Sequence, residues 1–195
     1  LLTISPSSRP SLLYALKGAG TYFGLVTSLT LRAYPLSSPD GTTWKTTAPF
    51  PASRIAEVIS ALAPIAESPH PRASGALIII KSPQGDGSTI VLASLIFFGS
   101  SEDANAHFAH IKGLGPFMWG EHRIPYSKIN DDFDPFCVTG GFKRHVVARV
   151  PTIPRDLSVW EKELKAYEAL IEKVGTQAAR SMVCFTWIGK GEAGR

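Results

Sequence analysis

Cysteine is scarce in this 195-residue sequence: Cys137 and Cys184 are the whole complement. Two thiols cannot build a disulfide scaffold, and neither lies in a metal-ligand spacing. No apolar run approaches the roughly 20 residues that a membrane-spanning helix needs; the Ile-rich stretch Leu77–Ile80 is strand-sized. Concentrated charge is also missing. Twenty Lys and Arg against sixteen Asp and Glu give a net charge of +4, and the densest basic group is Lys143, Arg144, His145 and Arg149. A nucleic-acid binder gathers its charge on one face, so neither nucleic acid nor membrane is an expected partner. Scattered cations suit an anionic small molecule better. There is no G-x-S-x-G elbow to anchor a hydrolase triad. His107 and His110 are three apart on a helical stretch but have no third ligand in a suitable place, so no metal is expected.

What is present is periodicity. Pro10–Lys17 reads as a short helix, with Pro10 in its first turn and Leu12, Leu13 and Leu16 on one face. Gly18-Ala19-Gly20 breaks it, and Phe23–Tyr34 has the Val, Leu and Thr content of a strand. The turn-rich linker Pro35–Gly41 marks a domain boundary, which divides the chain into 1–36 and 37–195. After it come a strand at Thr43–Phe50 and a helix at Ser53–Ala63 stopped by Pro64. Strands at Ala76–Lys81 and Thr89–Phe98 form a hairpin around Pro83-Gln84-Gly85-Asp86-Gly87. A helix at Ser100–Lys112 carries a Ser100/Asp103 capping box. Strands at Phe117–Arg123 and Phe142–Val150, a helix at Pro154–Val174 and a strand at Ser181–Ile188 complete the chain. The order β-α-β-β-α-β is ferredoxin-like. The expected class is α+β: an antiparallel sheet with helices on one face, extended by an added helix and strands.

Three segments are candidates for chemistry. Gly18-Ala19-Gly20-Thr21-Tyr22-Phe23-Gly24 can bring backbone N–H groups close to a phosphate. It lies between a helix and a strand, the reverse of a dinucleotide fingerprint, so a helix C-cap followed by a tight turn is the plainer reading of its spacing. Gly189-Lys190-Gly191-Glu192-Ala193-Gly194 matches G-x-G-x-x-G after a strand, but no helix follows it. Pro125–His145 gathers Tyr126, Lys128, Asn130, Cys137, Lys143 and His145; it reads equally as a pocket rim or as an irregular polar loop.

Residues 11–32, SLLYALKGAGTYFGLVTSLTLR, resemble the berberine-bridge-enzyme-like pattern D-L-x-W-A-L-[RK]-G-x-G-x-N-F-G-[IV]-V-T-x-[FL]-T-[LF]-R. The run Ile124–Asn130 followed by Gly140-Gly141-Phe142-Lys143 resembles the substrate domain of fungal-type members of this flavoprotein family. The resemblance implies FAD as cofactor and oxidation of a small organic, secondary-metabolite-like substrate with O₂ as acceptor. It implies that residues 1–36 end an FAD-binding domain and that residues 37–195 form a substrate-binding domain. Gly18, Gly20, Thr21, Tyr22, Gly24, Leu25 and Val26 would lie against the FAD; Tyr22 departs from the usual Asn. Tyr126 would act as a hydrogen-bonding or acid/base group, with Lys143 and His145 as polar orienters of substrate. The family's main FAD region would precede Leu1, and a closing segment would follow Arg195, so this chain alone is not expected to hold FAD. A secreted or endomembrane location fits the family. The alternatives are a flavin-free isomerase or cyclase and a non-catalytic binding protein. Self-association through the exposed sheet or the 23–34 strand is expected.

Overall fold

A computed structural model describes residues 1–19, 22–68, 70–131, 134, 156–175 and 181–189. The chain divides into two compact units, Leu1–Pro35 and Leu36–Arg195.

In the first unit, helix α1 spans Pro10–Ala19. It runs through Gly18, past the break that the glycines suggest. Residues 24–34 belong to no strand, contrary to the strand expected over Phe23–Tyr34. Strand propensity alone does not make a strand: a ladder needs a neighbour, and no described strand pairs with this segment.

In the second unit, strands β1 (Thr42–Pro51), β2 (Ala73–Lys81), β3 (Thr89–Phe97), β4 (Gly120–Pro125) and β5 (Met182–Ile188) form one sheet of order β4-β1-β3-β2-β5. Every pairing is antiparallel. The first four strands are in ferredoxin-like order, and β5 extends the sheet beyond β2. The expected class therefore holds. Its described α-helices are α2 (Ile55–Glu67), α3 (Ser101–His107), α4 (Ala109–Gly113) and α5 (Leu157–Val174).

Alternation along the strands selects the face that the helices cover. Trp44, Ala48 and Phe50 of β1, Leu77 and Ile79 of β2, and Val91, Ala93, Leu95 and Phe97 of β3 belong to one core. It also takes in Val58 and Leu62 of α2, Phe108 and Ile111 around α4, and Trp160 and Tyr167 of α5. Each large apolar side chain buried in this core contributes about 1.5–3 kcal/mol.

Three boundaries differ from expectation. Pro64 lies inside α2, which continues to Glu67. Its ring removes only the bond to the Ser60 carbonyl, and Ser60 is exposed, so water can take that carbonyl. The helix expected over 100–112 is two helices, broken at Phe108 (φ −101°, ψ 15°). The break seats Phe108 stacked on Trp44, with ring centroids 5.6 Å apart, and edge-on to Phe97 at 6.3 Å. Strand β4 begins at Gly120, three residues later than expected. The strand expected over Phe142–Val150 lies outside the described residues.

Candidate functional site

The other face of the sheet carries the alternate residues. On β1 these are Thr43, Lys45 and Thr47, which pair across the ladder with Ile124, His122 and Gly120 of β4. Lys45 is 6% exposed, an unusual state for a lysine. Its Nζ donates to the carbonyl of Ile129 at 3.5 Å, which ties it to the segment that follows β4. That segment leaves the strand through a 3-10 turn at Tyr126–Lys128. The Tyr126 N–H donates to the Gly41 carbonyl at 2.9 Å, and Lys128 pairs with Asp131 at 3.1 Å.

Between this turn and the strands lies a cavity of about 420 Å³, within the range of small-molecule sites. Lys45, Thr47, His122, Lys128 and Asp131 give it polar walls, and Met118 and Ile124 apolar ones. Gly120 makes room for the imidazole: a Cβ there would stand 3.1 Å from His122 Nε2.

The helix side of the same two strands is tied by Glu121. Its carboxylate accepts from Asn105 Nδ2 at 2.7 Å, Lys112 Nζ at 3.0 Å, Trp119 Nε1 at 3.0 Å and Trp44 Nε1 at 3.4 Å. These donors, Asn105 foremost and then Lys112, hold its pKa down to about 2. Asp40, at the entry to β1, is held well below the usual carboxylate range by Ser38 and Thr42, with Arg123 adding its charge. Both carboxylates are structural, fixing β4 and the start of β1 beside the cavity.

The residues expected from sequence fall into separate places. Tyr126 does not line the cavity. Its ring packs against Phe98, with centroids 5.9 Å apart, and remains half-exposed. Lys143, His145 and Cys137 lie outside the described residues, as do Gly20 and Thr21. In the first unit Gly18 is within α1, while Tyr22, Leu25 and Val26 are exposed. Gly24 adopts φ +144°, and a Cβ there would meet nothing within 4 Å. The described part of this turn therefore leaves its backbone open to approach. Residues 18–31 carry no Lys or Arg to pair with a phosphate. Lys45 and His122 were not singled out as site residues in the sequence. The signal available was Lys45 itself, a charge inside a strand between Trp44 and Thr46, but only the β1–β4 register brings His122 opposite it.

The fold and the cavity define an α+β domain with a ligand-sized cavity on the sheet face opposite its described helices. An FAD-linked oxidoreductase of Aspergillus terreus, tazL, is 26% identical over 176 residues, 87% of this chain and 35% of the relative. An FAD-linked oxidoreductase of Aspergillus fumigatus, hasG, is 32% identical over 146 residues, 71% of this chain and 29% of the relative. A second from that species, fmqD, is 27% identical over 140 residues, 72% and 28% of the two chains. No protein-family profile matches the sequence, and no solved structure matches it significantly. The chain is thus homologous to part of several FAD-linked oxidoreductases, in keeping with the berberine-bridge-enzyme-like pattern that residues 11–32 resemble. It spans about a third of the length of these curated relatives.

Proposed function

We propose that this chain is the substrate-binding part of an FAD-linked oxidoreductase that oxidises a small organic molecule with O₂ as acceptor. The observation that carries the reading is the ligand-sized cavity on the sheet face opposite the described helices. When bound, the flavin supplies the redox chemistry, taking a hydride from substrate and passing the electrons on. The work left to this chain is positioning. Residues 1–36 end the FAD-binding domain in this reading, with Gly18, Gly20, Thr21, Tyr22, Gly24, Leu25 and Val26 as a backbone wall beside the cofactor. Residues 37–195 hold the substrate over the sheet. Lys45, Thr47 and His122 orient its polar end, and Met118 and Ile124 pack its body. Tyr126, outside the cavity wall, keeps the acid/base or hydrogen-bonding role that the family resemblance implies, and Lys143 and His145 are further orienters.

The test is transient-state flavin reduction in the flavin-loaded protein that carries this chain. Lys45→Met should raise the substrate concentration for half-maximal flavin reduction by about tenfold, the loss of one charge-assisted hydrogen bond. Tyr126→Phe should lower the reduction rate itself. An enzyme whose flavin is reduced with unchanged rate and half-saturation in both variants would refute the site. A protein whose flavin no organic substrate reduces would refute the oxidoreductase reading.

A further inference from the structure

Gly120 opens β4 at a position where the backbone does not ask for a glycine. It is not among the residues with positive φ, and a glycine weakens a strand by giving it nothing to pack. The position is nevertheless fixed. It pairs with Thr47 across the β1–β4 ladder, and its carbonyl accepts from Thr46 Oγ1 at 2.7 Å. What the glycine provides is the space where a side chain would begin. Residues 120, 122 and 124 share the face of β4 that lines the cavity. The His122 ring leans along the strand over residue 120. A Cβ there would stand 3.1 Å from Nε2, closer than ordinary van der Waals contact, and 3.9 Å from both Cδ2 and Cε1. These ring atoms are its three nearest neighbours, so one imidazole takes the berth that the missing side chain leaves.

We propose that Gly120 is the specificity-determining residue of the cavity, and that the substrate it admits has a fused-ring rather than a single-ring body. At about 420 Å³ the cavity falls in the range that holds ligands larger than one ring. With bare backbone beneath it, the imidazole stays along β4 and the cavity keeps its width. A side chain at 120 turns the ring off the strand and into that space. The ring is the part that yields, because it is the end of a flexible side chain, whereas the ladder and the Thr46 bond hold the backbone. Width is what is lost, so a broad ligand suffers and a narrow one does not. The inference rests on the cavity being the substrate site and adds what sets the size of the substrate it takes.

The experiment is a double-mutant cycle on dissociation constants, read by calorimetric titration of the full 195-residue chain with two neutral probes, 2-naphthylmethanol and the narrower benzyl alcohol. The parent chain is expected to bind the naphthyl probe about tenfold more tightly. Gly120→Val should weaken the naphthyl probe about tenfold and benzyl alcohol less than about twofold. Valine is a strong strand former, and retained binding of benzyl alcohol reports an intact cavity. In the His122→Ala background, where the ring is gone, Gly120→Val should change the naphthyl affinity less than about twofold. A parent that prefers benzyl alcohol, an equal loss for both probes, no loss for the naphthyl probe, or the same loss without His122 would overturn the proposal and leave the cavity as a ligand site. A parent that binds neither probe would overturn it together with the cavity's role as substrate site. Flavin reduction plays no part in the readout, so failure here is distinguishable from failure of the oxidoreductase reading.

Discussion

Gly75 shows how one residue can fix a sheet edge. It pairs with Trp187 across the β2–β5 ladder, and a Cβ at this position would stand 2.4 Å from Trp187 Cζ2 and 2.8 Å from the Ser94 carbonyl oxygen. The indole, 5% exposed, lies flat where any other side chain would begin. Gly75→Ala therefore forces the ring out or the strands apart. The expected cost is about 1–3 kcal/mol, the range for overpacking a core, and chemical denaturation should show it as a lower midpoint with an unchanged slope. A variant as stable as the parent would mean that Trp187 has room to move. None of this was legible in the sequence, where Gly75 and Trp187 are far apart and only the register makes them neighbours. Lys45 is the same lesson for the site: its strand could be read from β-branched and aromatic content, but its burial follows from the loop that crosses it.

Among the elements, those that carry their own period were readable. Helix α5 has its Leu and aromatic stripe, the β2–β3 hairpin has its Pro-Gln-Gly-Asp-Gly turn, and Ser100 caps α3 by accepting from the Asp103 N–H at 3.0 Å. Those settled by tertiary contact were not. The α3–α4 break follows Phe108 into the core, and β4 starts where β1 can pair with it. Glu121 is the principal tie between β4 and the α3–α4 pair, and its depressed pKa gives that tie a pH dependence. Four donors favour the ionised form in the folded state, so the folded pKa of about 2 lies below the ordinary value near 4.5. The stabilisation is fully present above the ordinary value. It is lost progressively as pH falls from there towards 2. Glu121→Gln should lower stability at neutral pH and flatten its decline across that acid window, as thermal melts at a series of pH values will show. High salt should shrink the difference, since the carboxylate is partly exposed and Lys112 is screened. Equal acid sensitivity in parent and variant would assign the decline to other carboxylates.

At the scale of the whole molecule, sequence reading reached the architecture and the family, because both are written in runs of residues: the helix and strand order in one, the motif over 11–32 in the other. It reached the site less well, because the cavity joins β1 to β4 and the turn after it, distant in sequence from β1, which only folding brings together. The first unit poses a different physical problem. Leu25, Leu29 and Leu31 are 91%, 72% and 78% exposed, and no described strand pairs with the backbone around them. In an extended chain these residues and Phe23 recur at even spacing and so share one side. An apolar side together with unpaired N–H and C=O groups is the combination that recruits another strand. The 195-residue chain is therefore expected to self-associate through residues 23–31, with a second copy supplying the missing ladder. Light scattering over a concentration series should show mass rising above that of a monomer. The triple variant Leu25→Ser, Leu29→Ser, Leu31→Ser should remain monomeric, with the circular dichroism of the second unit intact. If the parent chain is a clean monomer at the highest concentration reached, strand addition by this segment is refuted. If the triple variant associates as strongly as the parent, the contact lies elsewhere, and the sheet face opposite the described helices, with Ile188 78% exposed at its β5 edge, becomes the surface to test.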